Sequence, residues 1–209
     1  HFLACDEVLI GGVCPDHRVA PTWPGEEKYF FRHSEDQEPL IKALLDADDP
    51  NHYQVDPPAR RNEVLGKLRV GLTDISISRA ALTWGIPLPF DPSQTTYVWV
   101  DALLNYITAI GYADNPQEFA RLWPADLQLM AKDLLGFHAI IWPAMLLAAG
   151  EALPRRIFAH GFFTVEGQKM SKTLGNVIRP RELVEKFGID ATRYLLLSEF
   201  PFGTDGDIS

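Results

Sequence analysis

Apolar positions follow a broken pattern in the first third of the chain, where loop-forming residues interrupt every short run. The pattern there predicts a short aromatic strand at residues 28–32. It also predicts a helix at residues 34–45, with Ser34 as its N-cap, and a second short helix at residues 60–68. No internal repeat and no low-complexity tract is visible.

From about residue 76 onward, strand-like and helix-like patterns alternate. The predicted elements are a strand at 97–100, a helix at 102–110 with Asp101 as its N-cap, a strand at 127–130, a helix at 134–149 and a strand at 156–160. Strand, helix and strand at this spacing form a βαβ unit, which implies a parallel sheet with a right-handed crossover. The predicted fold class is therefore α/β.

Ligands of open parallel sheets bind outside the carboxyl ends of the strands. The three predicted strand ends carry residues 99–101, residues 131–133, and His160 with Gly161. Polar and aromatic groups at all three ends favour a small-molecule site, although a capping aspartate or a turn glycine explains each end taken singly.

Composition narrows the function classes. The chain has 209 residues, 46% of them hydrophobic and 22% charged, which is typical of folded globular proteins rather than disordered ones. The net charge of −9, from 28 acidic and 19 basic residues, argues against a dedicated nucleic-acid-binding module but allows an enzyme with a local basic patch. The apolar stretch at 137–150 is too short to span a bilayer, so no membrane segment is predicted. Two cysteines favour a reducing, cytoplasmic location.

Residues 167–176 carry the most distinctive chemistry. Two lysines, Lys169 and Lys172, and the hydroxyl of Ser171 lie between two glycines. Paired ammonium groups suit a polyphosphate whose charge rises as it leaves, and glycines permit unusual backbone angles. The alternative is a solvated surface turn. The stretch is not a P-loop, because no G-x-x-x-x-G-K-[ST] motif precedes a helix here.

The Lys-Met-Ser-Lys-Thr run at 169–173 resembles the KMSKS signature of class I aminoacyl-tRNA synthetases. Three stretches resemble, in matching order, segments of the bacterial methionyl-tRNA synthetases: residues 61–64 together with 72–79, residues 97–106, and residues 132–145. The chain is thus similar to that family over nearly its whole length.

This resemblance implies the second half of a split Rossmann-like catalytic fold. Residues 1–75 would be the end of the connective insertion, 76–165 the catalytic half, and 166–209 the KMSKS loop with the start of the connection to the helical anticodon domain. We expect an internal fragment, inactive alone, that lacks the HIGH half and the anticodon-binding domain.

The resemblance also implies the activity and the partners. The enzyme would activate L-methionine with ATP and Mg²⁺ to methionyl-adenylate and transfer it to tRNA(Met) in translation. We expect a monomer. Two rival hypotheses stay open: a synthetase for another aliphatic amino acid, and a non-catalytic protein that binds tRNA or a protein partner.

Carried over by motif, the methionine-binding residues would be Tyr97, Trp99, Ala102, Leu103, Tyr106, Phe137 and His138, with Arg79 supporting amino-acid binding. Aromatic walls suit a soft, polarizable thioether. The plain alternative is that the aromatic residues of this set belong to the hydrophobic core.

The resemblance further assigns ATP binding to Lys132, Asp133, His160, Gly161 and Lys172, and catalysis to Lys169, Ser171 and Lys172. Asp133 would hold the ribose, and the lysines would stabilise the leaving pyrophosphate.

Cys14 and His17 have C-x-x-H spacing and resemble the second half of a zinc knuckle. Cys5 is a possible third ligand of Zn²⁺, but a structural zinc site needs four ligands and a fourth is not visible in the sequence. The alternative is two free cysteines and a loop histidine.

Overall fold

The structure, a computed structural model, describes residues 20, 25–80, 82–171, 175–198 and 201–208. The chain divides into two units. The smaller unit contains Ser78–Thr96 and the described part of His1–Tyr29, and the larger unit contains Phe30–Ile77 and Tyr97–Ser209. The domain boundaries predicted at residues 75 and 165 stay predictions, and the division between the units falls at other places in the chain.

Short strands and helices alternate along the described residues. The strands are β1 (Phe30–Phe31), β2 (Gln54–Asp56), β3 (Ile75–Ser76), β4 (Ser78–Arg79), β5 (Pro87–Leu88), β6 (Asp91–Thr96), β7 (Gln128–Ala131), β8 (Arg156–His160), β9 (Phe163–Val165), β10 (Gln168–Lys169) and β11 (Gly206–Asp207). The α-helices are α1 (Gln37–Leu45), α2 (Pro58–Val70), α3 (Val98–Thr108), α4 (Pro116–Leu122), α5 (Trp142–Ala149), α6 (Pro180–Phe187) and α7 (Ile189–Ser198). Turns of 3₁₀ helix occupy His33–Asp36 and Lys132–Leu134, and a π-helical stretch, the π segment, occupies Phe137–Ile141.

A parallel sheet of order β2-β8-β7 organises the larger unit. Strands β7 and β8 and the helical stretch between them form the predicted βαβ unit, which is confirmed. Ala131 at the end of β7 lies opposite His160 at the end of β8, so the residues that follow both strands emerge at one edge of the sheet. Within the described residues β7 pairs on one side only, which leaves the backbone groups of its other edge unpaired.

The predicted strand at residues 97–100 is wrong. Strand β6 ends at Thr96, and Val98, Trp99 and Val100 form the first turn of α3. A short apolar run does not distinguish a strand from a buried helix by its pattern alone, and here helical packing decides. Asp101 consequently lies inside α3 rather than at its N-cap.

The predicted cap of the first helix is also wrong. Ser34 lies in a 3₁₀ turn and its hydroxyl donates to Asp74 Oδ1 at 2.6 Å, and α1 begins later, at Gln37. The helix predicted at 60–68 extends to Pro58–Val70, where Pro58 occupies a favoured first-turn position.

The remaining sheets are antiparallel or mixed. In the smaller unit β4, β6 and β5 form an antiparallel sheet. In the larger unit β1 pairs with β3, while β9 pairs with β10 on one side and with β11, in parallel, on the other. One hydrophobic core in the larger unit joins α1, α2, α3, α5 and the parallel sheet. None of the helices in the described ranges has the length and apolar character needed to cross a bilayer.

Candidate active site

Two aromatic side chains from different elements stack at the predicted amino-acid pocket. Trp99, in the first turn of α3, and Phe137, the first residue of the π segment, have ring centroids 3.9 Å apart and ring planes inclined by 20°. Both side chains are half-buried, so part of the stacked pair faces solvent. The pair offers a flat, polarizable surface of the kind that a thioether prefers.

The helical conformation of residues 98–108 explains why the predicted pocket residues form a set. Trp99, Leu103 and Tyr106 recur at i, i+4 and i+7, which is one face of α3. Leu103 is 1% exposed and belongs to the hydrophobic core, whereas Ala102 is exposed. Tyr97 precedes the helix, and its N–H donates to the carbonyl of Ile77 at 2.8 Å.

Tyr106 and His138 form a hydrogen-bonded pair between the same two elements. The Tyr106 hydroxyl lies 2.8 Å from His138 Nε2, and His138 Nδ1 lies 3.0 Å from the carbonyl oxygen of Leu134. A carbonyl can only accept, so Nδ1 carries the proton, Nε2 of the neutral ring accepts, and the hydroxyl donates. Burial lowers the pKa of His138, although its bond to Leu134 opposes this, and burial raises the pKa of Tyr106. Both groups are therefore neutral near pH 7.

A buried tyrosine supports the π segment. Pro143 in α5 has no N–H to give to the carbonyl of Ala139, four residues earlier. Tyr53, which is fully buried, donates its hydroxyl to that carbonyl at 2.9 Å. Burial raises the pKa of Tyr53, so the hydroxyl stays protonated as a donor. This bond supports the turn that follows His138.

Three charged side chains from distant parts of the chain meet around the ring of Phe162. The ammonium groups of Lys132 and Lys169 lie 5.1 and 5.0 Å from the ring centroid, which is a cation–π distance. Lys132 follows the end of β7 and Lys169 ends β10. Asp205 accepts from Lys132 Nζ at 2.5 Å and from the Phe162 N–H at 2.8 Å. Two of the predicted lysines are thus brought together beside one ring.

Hydrogen bonds join residues 169–171 to Gly175 and Asn176. Asn176 accepts from the Ser171 N–H at 2.8 Å through Oδ1 and donates to the Lys169 carbonyl at 3.3 Å through Nδ2. The N–H of Gly175 also donates to the Ser171 carbonyl at 3.1 Å. These bonds hold residues 169–171 close to Gly175 and Asn176, and the Lys169 side chain is exposed.

The other predicted nucleotide residues lie at the carboxyl edge of the parallel sheet. Asp133 is exposed and lines a cavity of about 790 Å³ together with Phe137 and residues of α2. His160 and Gly161 line a second cavity, of about 290 Å³, together with Phe202. His160 Nδ1 lies 2.8 Å from the carbonyl of Gly161.

Some predicted residues lie elsewhere. Arg79 belongs to β4 of the smaller unit, where its guanidinium donates to the carbonyl of Ser78 at 2.6 Å. Lys172 lies outside the described residues, and so do the three predicted zinc ligands, Cys5, Cys14 and His17. Within the described ranges no group of three or more His, Cys, Asp or Glu side chains is placed to hold a metal ion. The zinc prediction stays a prediction.

Sequence reasoning did not single out Tyr53, Phe162, Asn176 or Asp205. The one available signal was the Asp-Gly-Asp run at 205–207, in which two carboxylates flank a glycine on an extended stretch. Its relation to Lys132 was not readable, because the two side chains are 73 residues apart in the chain.

The family model described as "tRNA synthetases class I (M)" matches residues 4–209 of this chain. The methionine–tRNA ligase of Caldanaerobacter subterraneus is 48% identical over 202 residues, which cover 96% of this chain and 31% of that protein. The ligase of Thermotoga maritima is 48% identical over 207 residues, which cover 98% of this chain and 32% of that protein. The chain therefore spans about a third of the length of the curated relatives it matches.

A solved structure agrees with these relatives. Mycobacterium tuberculosis methionyl-tRNA synthetase in complex with methionyl-adenylate matches with a TM-score of 0.85 at 44% identity, over 97% of this chain and 40% of that one. This likeness confirms the predicted α/β class and the Rossmann-like parallel sheet.

Proposed function

The chain belongs to the class I tRNA synthetases of the methionine group, and from this premise we propose that it supplies methionine- and ATP-binding residues of a methionine–tRNA ligase. The observation that carries the proposal is the pairing of α3 with the π segment, which sets an aromatic stack and a neutral Tyr106–His138 pair on the same two elements.

The methionine side chain would lie against Trp99 and Phe137, with its sulfur near the Tyr106 hydroxyl. That hydroxyl donates its hydrogen bond to His138 Nε2 and stays protonated, so it presents lone pairs and no charge to the thioether. Branched aliphatic side chains gain less from a flat aromatic wall, and shape then adds to the discrimination. By the same resemblance, Arg79 would support amino-acid binding by pairing with an acidic residue of the first half of the catalytic fold.

ATP would occupy the carboxyl edge of the parallel sheet, as ligands of such sheets do. Asp133 would accept from the ribose hydroxyls, and His160 and Gly161 would lie along the adenine. Lys132, Lys169 and Lys172 would face the phosphates, which carry Mg²⁺ as part of the substrate.

The activation step is the attack of a methionine carboxylate oxygen on the α-phosphorus. The bond from that phosphorus to the bridging oxygen of the β-phosphate breaks, and pyrophosphate leaves. The protein contributes positioning and positive charge rather than a covalent intermediate. Methionyl-adenylate then gives its acyl group to a terminal ribose hydroxyl of tRNA(Met). We further propose a cytoplasmic monomer, and we expect the 209-residue chain to be inactive alone.

The test is amino-acid-dependent ATP–pyrophosphate exchange. The full reading frame that encodes this chain is assayed beside the 209-residue chain, with methionine, valine, isoleucine and leucine. We expect exchange with methionine only, from the full reading frame only. Absence of exchange in well-folded samples of both would replace the proposal with the non-catalytic binding protein.

The pocket is tested with Trp99→Ala in the same assay. Loss of the stacked ring should raise the KM for methionine about fivefold or more, because a buried aromatic contact is worth roughly 1–3 kcal/mol. The matched control is Trp84→Ala, since the Trp84 side chain is 92% exposed. An unchanged KM in Trp99→Ala would make Trp99 an ordinary packing residue.

A further inference from the structure

Residues 201–208 cross the end of β8 in close backbone contact with the candidate nucleotide site. A Cβ added to Gly161 would lie 2.2 Å from the carbonyl oxygen of Thr204, so the absence of a side chain there permits the crossing. Phe202 stacks on Phe158 of β8 with ring centroids 4.4 Å apart. The stretch is therefore seated on the sheet, and its conformation fixes where Asp205 lies.

Both oxygens of the Asp205 carboxylate accept hydrogen bonds. One oxygen accepts from Lys132 and the other from the Phe162 N–H. The bond to Lys132 is the main reason that the pKa of Asp205 lies below its usual range, and the Phe162 N–H adds to it. A free carboxylate beside ATP would repel the phosphates, but this one acts on the site through the two groups that it holds.

The carboxylate of Asp207 holds the other lysine indirectly. Its Oδ1 accepts from the Thr164 hydroxyl at 2.7 Å and from the Gly167 N–H at 2.8 Å. Gly167, with φ of 72°, and Glu166, with φ of 51°, form the turn between β9 and β10, and Lys169 is the last residue of β10. Strand β11 also pairs with β9, the strand that leads into this turn. Residues 206 and 207 therefore hold both the strand before the turn and, through the Gly167 N–H, the turn itself.

We propose that Asp205 and Asp207 are positioning residues for the activation step, Asp205 through Lys132 and Asp207 through the turn that carries Lys169. The proposal rests on the proposed function. A lysine side chain has about 2 kcal/mol of rotamer entropy, and donors fixed before the reaction stabilise developing charge better than donors that must reorganise. Asp205 and Asp207 together therefore set two cations from separate elements against one ring.

A purely stabilising role predicts something different. The side chains of Lys132 and Asp205 are 25% and 45% exposed, and ion pairs this accessible contribute little to stability. Loss of the Asp205 carboxylate should therefore leave the unfolding transition almost unchanged. A large loss of activity with little loss of stability is what positioning requires.

The experiment uses the full reading frame in the methionine-dependent exchange assay. Asp205→Asn should lower kcat about tenfold, equivalent to about 1.4 kcal/mol, with the KM for methionine unchanged. Asp205→Glu, which keeps the charge, should recover part of the loss. In a Lys132→Met background, Asp205→Asn should add less than a twofold effect, because its target is already gone. Independent, multiplying effects of the two changes would overturn the proposal.

The matched control is Asp126→Asn, which breaks the exposed ion pair with Arg155 that is 2.6 Å long. This variant should keep the wild-type kcat. Equal losses from Asp126→Asn and Asp205→Asn would overturn the positioning role. Asp207→Asn should lower kcat without the Lys132 dependence, because it acts through the turn.

Hydrogen exchange of individual amides separates this inference from the proposed function. Asp205→Ala, which removes the acceptor, should speed hydrogen exchange of the Phe162 amide, and Asp207→Ala that of the Gly167 amide, with core amides unchanged. If the wild type shows no methionine-dependent ATP–pyrophosphate exchange, the proposed function fails and the positioning role is judged by these amides alone. Unchanged protection of the Phe162 amide in Asp205→Ala overturns the inference whatever the activity.

Discussion

Replacing Tyr53 by phenylalanine removes a single oxygen atom beneath the candidate methionine pocket. Tyr53 is fully buried, and its hydroxyl donates to the carbonyl of Ala139 in the π segment. Because Pro143 has no N–H to offer that carbonyl, the change removes a hydrogen bond that the helix cannot replace from its usual position. The position of His138, next to Ala139 in the chain, depends on the same turn.

The magnitude follows from burial. Leaving a buried acceptor without its donor costs about 1–3 kcal/mol, while the phenyl ring keeps its packing. With an m-value of about 2 kcal/mol per M, the urea midpoint should fall by roughly 0.5–1.5 M. The buried rings of Trp123 and Trp142 make tryptophan fluorescence a suitable probe of this transition in the larger unit.

The matched control is Tyr194→Phe, because Tyr194 is 74% exposed. This substitution should change the free energy of unfolding by less than about 0.5 kcal/mol. Equal midpoints for Tyr53→Phe and Tyr194→Phe would refute the assigned role of the Tyr53 hydroxyl. Tyr53→Phe should also weaken methionine binding in the full reading frame, since the His138 turn loses its support.

Gly161→Ala should displace residues 201–208, because the new methyl would lie 2.2 Å from the Thr204 carbonyl oxygen, and should destabilise the chain by about 1–3 kcal/mol in urea unfolding. Gly66→Ala, whose methyl would meet nothing within 4 Å inside α2, should instead stabilise it by about 0.5–1 kcal/mol; the same sign for both changes would contradict the steric argument. The pH dependence of stability should carry a contribution from His138. Burial lowers the pKa of His138 in the folded chain. As the pH falls through 6.5, the ordinary pKa of histidine, the unfolded chain therefore binds more protons at this residue than the folded chain does. The stabilisation is present above that value and is lost as the pH falls towards the folded pKa. Unfolding free energies measured between about pH 5 and 7.5 should show a smaller slope in His138→Gln, and identical slopes would rule the contribution out.

The βαβ unit of the parallel sheet was predictable because each of its elements shows its pattern within a few consecutive residues. The helical stretch between β7 and β8, which includes the π segment and α5, is mostly apolar and is followed by Gly150 and then by β8. The run at residues 97–100 was ambiguous for the same local reason, since four apolar or aromatic residues fit either a strand or the first turn of a helix. The contact of Trp99 with Phe137 belongs to the helical alternative, and a sequence pattern does not contain it.

The site was predictable where a motif covers it and not where distant segments meet. Lys132 and Lys169 were identified from their own surroundings, but the ring of Phe162 that joins them was not. Asp205 needed the long-range pairing of β11 with β9, which are separated in the chain by β10, α6 and α7. Strand β2 was missed because three residues are too few for a pattern.

The order of β9, β10 and β11 along the chain has a consequence for synthesis on the ribosome. Phe162 and Asp205 are 43 residues apart, and α6 and α7 lie between them. At about 5–20 residues per second, the Lys169 hairpin emerges several seconds before the strand that ties it down. A nascent chain released before residue 205 would carry the lysines but not the carboxylates that arrange them, so translation itself orders the assembly of this cationic site.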